Sequence, residues 1–272
     1  MFGIMLRGMA VGITETVPGI SGSTVAMILG IYERLIYSLS MLTTNRRKEV
    51  LPFLVMFGVG MVIGFAFSII LLNYLLKNHR TPTLLFFGGV IVGFLPYLWK
   101  ETLQYQKTKL KAKHYIIILF FLGMVVCGQL LGEMTNIDLN HLSFVDYIFF
   151  VLVGFIASTA LVLPGISGAL ILTIFGVYEI ATNSLFSLNM PVILTIGSGI
   201  VLGVLLTSRL IRYLLTHYKV ETYAAMIGLV SGSIYAIIMN LDDVVDQSTI
   251  ILSVITFLAG ITLLNLLQKT QD

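Results

Sequence analysis

VPGISGSTVAMILGIYE at residues 17–33 is answered, 146 positions later, by LPGISGALILTIFGVYE at residues 163–179. Each stretch is apolar on both sides of a Pro-Gly break and ends in Gly-x-Tyr-Glu. Gly8 and Gly154 precede the two stretches at the same offset. Further on the match continues at an offset of 139: Pro52 with Pro191, Gly58 with Gly197, Gly60 with Gly199, Gly64 with Gly203, Tyr74-Leu75-Leu76 with Tyr213-Leu214-Leu215, and Gly89 and Gly93 with Gly228 and Gly232. Such density of matches reads as a tandem duplication of a unit of roughly 135 residues.

Composition sets the class. Of 272 residues, 57% are hydrophobic and 11% charged, too little charge to cover a soluble domain of this size. Apolar runs long enough to span a bilayer recur along the whole chain. They are continuous rather than short and alternating, which excludes an outer-membrane barrel, and they do not stop after the first, which excludes a signal peptide ahead of a soluble domain. The net charge of +3 comes from basic residues in short loops, so no nucleic-acid partner is expected. Cys127 is the single cysteine, and His79, His114, His141 and His217 have no ligand spacing, so neither a metal nor a cofactor is expected.

The expected fold is an all-α integral membrane protein of two inverted repeats, each a re-entrant broken-helix hairpin plus three transmembrane helices. The first repeat covers 1–135, with a hairpin at 4–43 and helices at about 50–76, 82–99 and 114–132. The second covers 146–272, with a hairpin at 147–188 and helices at about 191–215, 222–240 and 249–267. The first arm of each hairpin reads as about 14–17 residues, or about 21–25 Å of helix, short of a ~30 Å hydrocarbon core. Loop charge supports a break segment that starts and ends on one side; a re-entrant hairpin and two full crossings share those loop sides, and arm length favours the hairpin. With a cytoplasmic N-terminus, 14 of the 16 Lys and Arg residues then face inside, and only Lys77 and Arg80 face out. Glu133, Asp138, Asp146, Asp242, Asp243 and Asp246 fall on the outside. A single crossing per break gives at best a 9 to 7 split. One hairpin plus three crossings is an odd number of transits, so the second half is expected upside down relative to the first, both termini cytoplasmic. That is the plan of many secondary transporters. The pairs Gly60/Gly64, Gly89/Gly93, Gly199/Gly203 and Gly228/Gly232 are read as close helix contacts.

At each break Pro18 or Pro164 ends one helical arm and the following glycine permits a sharp turn. Gly19, Ser21, Gly22, Ser23 and Thr24, with Gly165, Ser167 and Gly168, then stand where a new helix begins. Backbone N–H groups and hydroxyls there can receive an anion such as phosphate. The plain alternative is a kink whose serines cap the next helix. Two copies at membrane depth favour the anion, because irregular backbone is costly there. Two roles fit Glu15, three residues before Pro18: a proton carrier, or a carboxylate capping a neighbouring helix. Its counterpart is Leu161. Glu33 and Glu179 read as structural groups nearer the surface. Arg209 and Arg212 lie near a helix end, where Arg209 either snorkels or neutralises an arriving phosphate.

RGMAVGITETVPGISGSTVAMILGIYERLI at 7–36, GFIASTALVLPGISGALILTIFGVYE at 154–179, and SRLIRYLLTHY at 208–218 with GLVSGS at 228–233 resemble the PopT family of polyprenyl-phosphate transporters. The resemblance implies recycling of undecaprenyl phosphate from the outer to the inner leaflet of a bacterial cytoplasmic membrane, for cell-wall synthesis. Its partners would be the lipid substrate and surrounding membrane lipids, with a homodimer one option for assembly. The family often has Gly-Gly-Thr after the first Ser, where this chain has Gly22-Ser23-Thr24, and the second copy has Ala169. A second resemblance is to undecaprenyl-pyrophosphate phosphatases, which carry PGxSRSxxT. Gly22 and Gly168 occupy the arginine position here, and losing that charge argues against hydrolysis. A phosphatase-like enzyme and a carrier of a small soluble anion remain the alternatives.

Overall fold

The computed structural model describes residues 2–15, 21–106, 110–130, 142–242 and 246–269. Lys107, Lys109, Glu133, Asp138, His141 and Asp243 lie outside them, as do Pro18 and Gly19. The described residues form twelve α-helices and no strand. In chain order these are α1 (Phe2–Thr14), α2 (Gly22–Ile28), α3 (Tyr32–Met41), α4 (Arg47–Asn78), α5 (Arg80–Gln106), α6 (Ala112–Leu130), α7 (Phe144–Val162), α8 (Gly168–Ile174), α9 (Tyr178–Ser187), α10 (Met190–His217), α11 (Lys219–Met239) and α12 (Gln247–Lys269). Seven of them (α4–α7 and α10–α12) are long and apolar enough to cross a membrane, and the chain is a multi-pass membrane protein.

Four helix pairs carry the packing, and glycine sets each. Gly8 and Gly12 of α1 face the backbone at Phe57 and Met61 of α4, while Gly60 and Gly64 face Met5 and Met9. Gly154 of α7 faces Ile196 of α10, and Gly199 and Gly203 face Val151 and Phe155. Gly89 and Gly93 of α5 meet Phe257 and Ile261 of α12, and Gly228 and Gly232 of α11 meet Ile118 and Val125 of α6. In hydrocarbon no hydrophobic force draws helices together, so small residues that let backbones touch supply the packing energy.

The registers rise together along both helices in every pair, so each pair is parallel. Parallel packing of α1 on α4 means that the intervening chain returns to the end of the bundle from which α1 set out. The same holds for α7 and α10. Burial falls outward: two-thirds of the α11 span is buried, against 11% for α6, whose Ile116, Leu119 and Phe120 form an apolar outer face.

Two features differ from the simple arm-break-arm pattern. The arm α7 has 19 residues, longer than read from the sequence, because Ser143 and Asp146 form a capping box that starts it early. The arm after each break is two short helices. Gly30 (φ 67°) and Gly176 (φ 66°) sit just past α2 and α8. Ile31 N–H reaches Ala26 C=O at 2.9 Å and Val177 N–H reaches Leu172 C=O at 2.8 Å, closing the same left-handed cap twice. Beyond the second cap the axis turns by 110°.

Candidate functional site

The two breaks meet. A helix ends with carbonyls that have no partner of their own, and at the end of α7 the first break supplies the donors. Ser23 Oγ donates to Leu163 C=O at 2.9 Å, and Tyr32 Oη donates to Val162 C=O at 3.0 Å. Ser21 Oγ lies 2.5 Å from Ser23 Oγ and 3.5 Å from Leu163 C=O. In the other direction Gly165 N–H donates to Thr24 Oγ1 at 2.9 Å. Ser21, Ser23 and Thr24, read from the sequence as hydroxyls awaiting an anion, thus already tie the two breaks together. Thr24 is 1% exposed, so Thr24→Val would strand a buried N–H and should cost about 1–3 kcal/mol. A lower thermal midpoint for Thr24→Val than for Thr24→Ser checks this.

Glu15 lies one residue beyond α1, where its carboxylate accepts the Gly22 N–H. The contact is close: a β-carbon on Gly22 would stand 2.1 Å from Glu15 Oε1 and 2.9 Å from Val11 Cγ1. In the second copy Leu161 fills the corresponding space over Gly168, its Cγ 3.0 Å from a β-carbon there. Ser167 is the N-cap residue of α8 without a side-chain cap bond, and Pro164 and Gly165 are buried in the turn before it.

Glu15, Gly22, Ser23 and Tyr32 form the inner end of a cavity of about 470 Å³. The rest of its wall is apolar, drawn from α1, α3, α4, α7 and α10 with Leu42 just past α3. Leu51 and Val55, both in that wall, are 49% and 53% exposed, so the cavity opens on the apolar outside of the bundle. Among its described lining residues there is no Lys or Arg.

The structure does not bring Arg209 to the breaks. It is exposed and hydrogen-bonds Thr43 Oγ1 in the loop after α3, while Arg212 lies 4.9 Å over the Tyr37 ring. Glu33 pairs with Lys219 at 2.9 Å and accepts from Tyr223 Oη at 3.2 Å, in a smaller polar cavity of about 250 Å³ shared with Tyr97 and Glu101. Glu179 is exposed. Sequence reasoning passed over Tyr32, which caps α7 and lines both cavities. Its signal was its fixed place in Gly-x-Tyr-Glu after each break.

Residues 11–250 match the family described as undecaprenyl phosphate translocase-like. The chain is 35% identical over 269 residues to a polyprenyl-phosphate transporter of Staphylococcus aureus, covering 95% of this chain and 94% of that one. It is 30% identical over 245 residues to a polyprenyl-phosphate transporter of Vibrio cholerae, covering 84% and 75% respectively. No solved structure matches.

Proposed function

Given that the chain belongs to the undecaprenyl phosphate translocase-like family, we propose that it carries a polyprenyl phosphate from the outer to the inner leaflet of a bacterial cytoplasmic membrane without cleaving it. The observation that carries this reading is the shape of the large cavity. A polar inner end of Glu15, Gly22 and Ser23 is joined to an apolar corridor that opens on lipid. An amphiphile with an anionic head and a hydrocarbon tail fits both parts. A small soluble anion would gain nothing from the apolar corridor.

Helix directions support inverted halves. α5 runs parallel to α12, and α11 runs parallel to α6. If α11 and α12 are successive crossings they point oppositely, and then so do α5 and its repeat counterpart α11. Likewise α1 with α4, and α7 with α10, favour hairpins that enter and leave on one face. The phosphate head lies beside the meeting breaks, and rocking of the halves exposes it to each leaflet in turn.

Charge balance makes Glu15 the coupling group. Two unit negative charges about 4 Å apart repel by about 4 kcal/mol at an effective dielectric of about 20. With no Lys or Arg among the described lining residues to offset this, a bound phosphate requires Glu15 to take up a proton, and the O–H then donates to the phosphate. Lipid phosphate and proton therefore move together. Hydrolysis is disfavoured because Gly22 and Gly168 stand where the phosphatase motif has arginine, which leaves no charge at those positions to stabilise a phosphoryl transition state.

Thermal stabilisation of the purified protein by polyprenyl phosphate, polyprenol and inorganic phosphate tests the reading. Stabilisation by the lipid phosphate beyond either part is expected. Equal stabilisation by inorganic phosphate alone would favour the soluble anion, and phosphate release from polyprenyl pyrophosphate would favour the enzyme.

A further inference from the structure

A second apolar cavity, of about 280 Å³, lies against α8, α9 and α10. It is the repeat counterpart of the first cavity without its break residues, with Tyr178 at the position of Tyr32. Leu185, Gly197 and Ile200 in its wall stand at the positions of Leu39, Gly58 and Met61 in the first. It too meets the apolar outer surface, since Leu185 is 60% exposed. The inner ends differ. The first cavity reaches Glu15, Gly22 and Ser23, whereas no break residue lines the second. Leu161, standing where Glu15 stands in the first copy, packs over Gly168 and lines the first cavity, not the second.

Gly58 and Gly197 make an independent point. Their neighbours Gly60, Gly64, Gly199 and Gly203 are pressed against another helix, but a β-carbon on Gly58 or Gly197 would meet nothing within 4 Å. Glycine weakens a helix interior relative to alanine, and no helix contact requires it at these two places. What the two positions share is a cavity wall that a side chain would fill.

We propose that the second cavity is the hydrocarbon-tail site of the opposite-facing state. The polyisoprenoid chain of the same lipid phosphate occupies it once Leu161 moves off the α8 break and the head is presented to the other leaflet. This inference rests on the lipid-phosphate reading above. Two halves built on one pattern can exchange arrangements, and the ligand stabilises whichever state offers it the better cavity.

The test uses proteoliposomes of the full chain and a polyprenyl phosphate with a photoactivatable tail. Wild-type protein should be labelled within 35–61 and also within 181–200. Gly197→Phe, at a place where a β-carbon meets nothing within 4 Å, should fill the second cavity, keep labelling in 35–61 and lose transfer to the opposite leaflet. Gly58→Phe should lose labelling in 35–61. Transfer by Gly197→Phe at the wild-type rate, or wild-type labelling confined to 35–61, overturns the inference and leaves the lipid-phosphate reading intact. Wild-type protein labelled in neither segment overturns that reading itself. A wild-type thermal midpoint for Gly197→Phe itself guards against a folding defect, and the wild-type labelling pattern decides if Gly197→Phe fails to fold.

Discussion

Gly165→Ala should yield little folded protein. Gly165 has φ +91°, a conformation that costs a side-chain-bearing residue about 1–3 kcal/mol. A β-carbon there would stand 2.3 Å from the Leu229 carbonyl carbon and 2.4 Å from the Val230 nitrogen. Those atoms are helix backbone, and Leu229 and Val230 are both fully buried, so nothing nearby can yield. Relieving the overlap shifts the whole break away from α11, adding about 1–3 kcal/mol. The Gly165 N–H would also leave Thr24 Oγ1. Together these take a large share of the roughly 5–15 kcal/mol that holds a typical domain. Thermal unfolding followed by size-exclusion chromatography in detergent checks it. A Gly165→Ala midpoint equal to wild type would mean that the break does not press on α11.

Glu15→Gln should uncouple transport from pH. Glutamine imitates the protonated carboxyl in shape and in its hydrogen-bond donor, and it removes the charge that repels the phosphate. Wild-type binding of polyprenyl phosphate should weaken as pH rises and Glu15 loses its proton. In Glu15→Gln that loss should be confined to the phosphate's own ionisation. Relieving a repulsion of about 4 kcal/mol at the high-pH end corresponds to up to about a thousandfold in affinity there. Transport driven by a proton gradient should meanwhile collapse, since the variant has no proton to release. Parallel pH profiles of binding for the two proteins would reduce Glu15 to a cap on the Gly22 N–H.

Much of this is legible in the sequence. The glycine pairs follow from a spacing that survives duplication, and each meets a neighbouring helix. The sharp corner after α8 has its signal in the Gly of Gly-x-Tyr-Glu, whose positive φ ends the helix. Ser143-x-x-Asp146 spelled the early start of α7. What could not be read is who faces whom. The bonds from Ser23 and Tyr32 to the end of α7 join residues 140 and 130 apart, and no local pattern encodes them. Arg209 looked available because charge near a membrane end invites a phosphate partner, yet Thr43 meets it across 166 positions of chain. The cavity is likewise a product of six helices converging, which a linear pattern does not display.

The most direct test is leaflet transfer itself. Proteoliposomes holding the purified chain are loaded with labelled polyprenyl phosphate on one leaflet, and the fraction accessible on the other is followed with and without a proton gradient. Transfer above that of protein-free vesicles, faster with a gradient and free of phosphate release, is the expected result. Redistribution no faster than in protein-free vesicles, under either condition, would contradict the claim that this protein carries a lipid phosphate across the membrane.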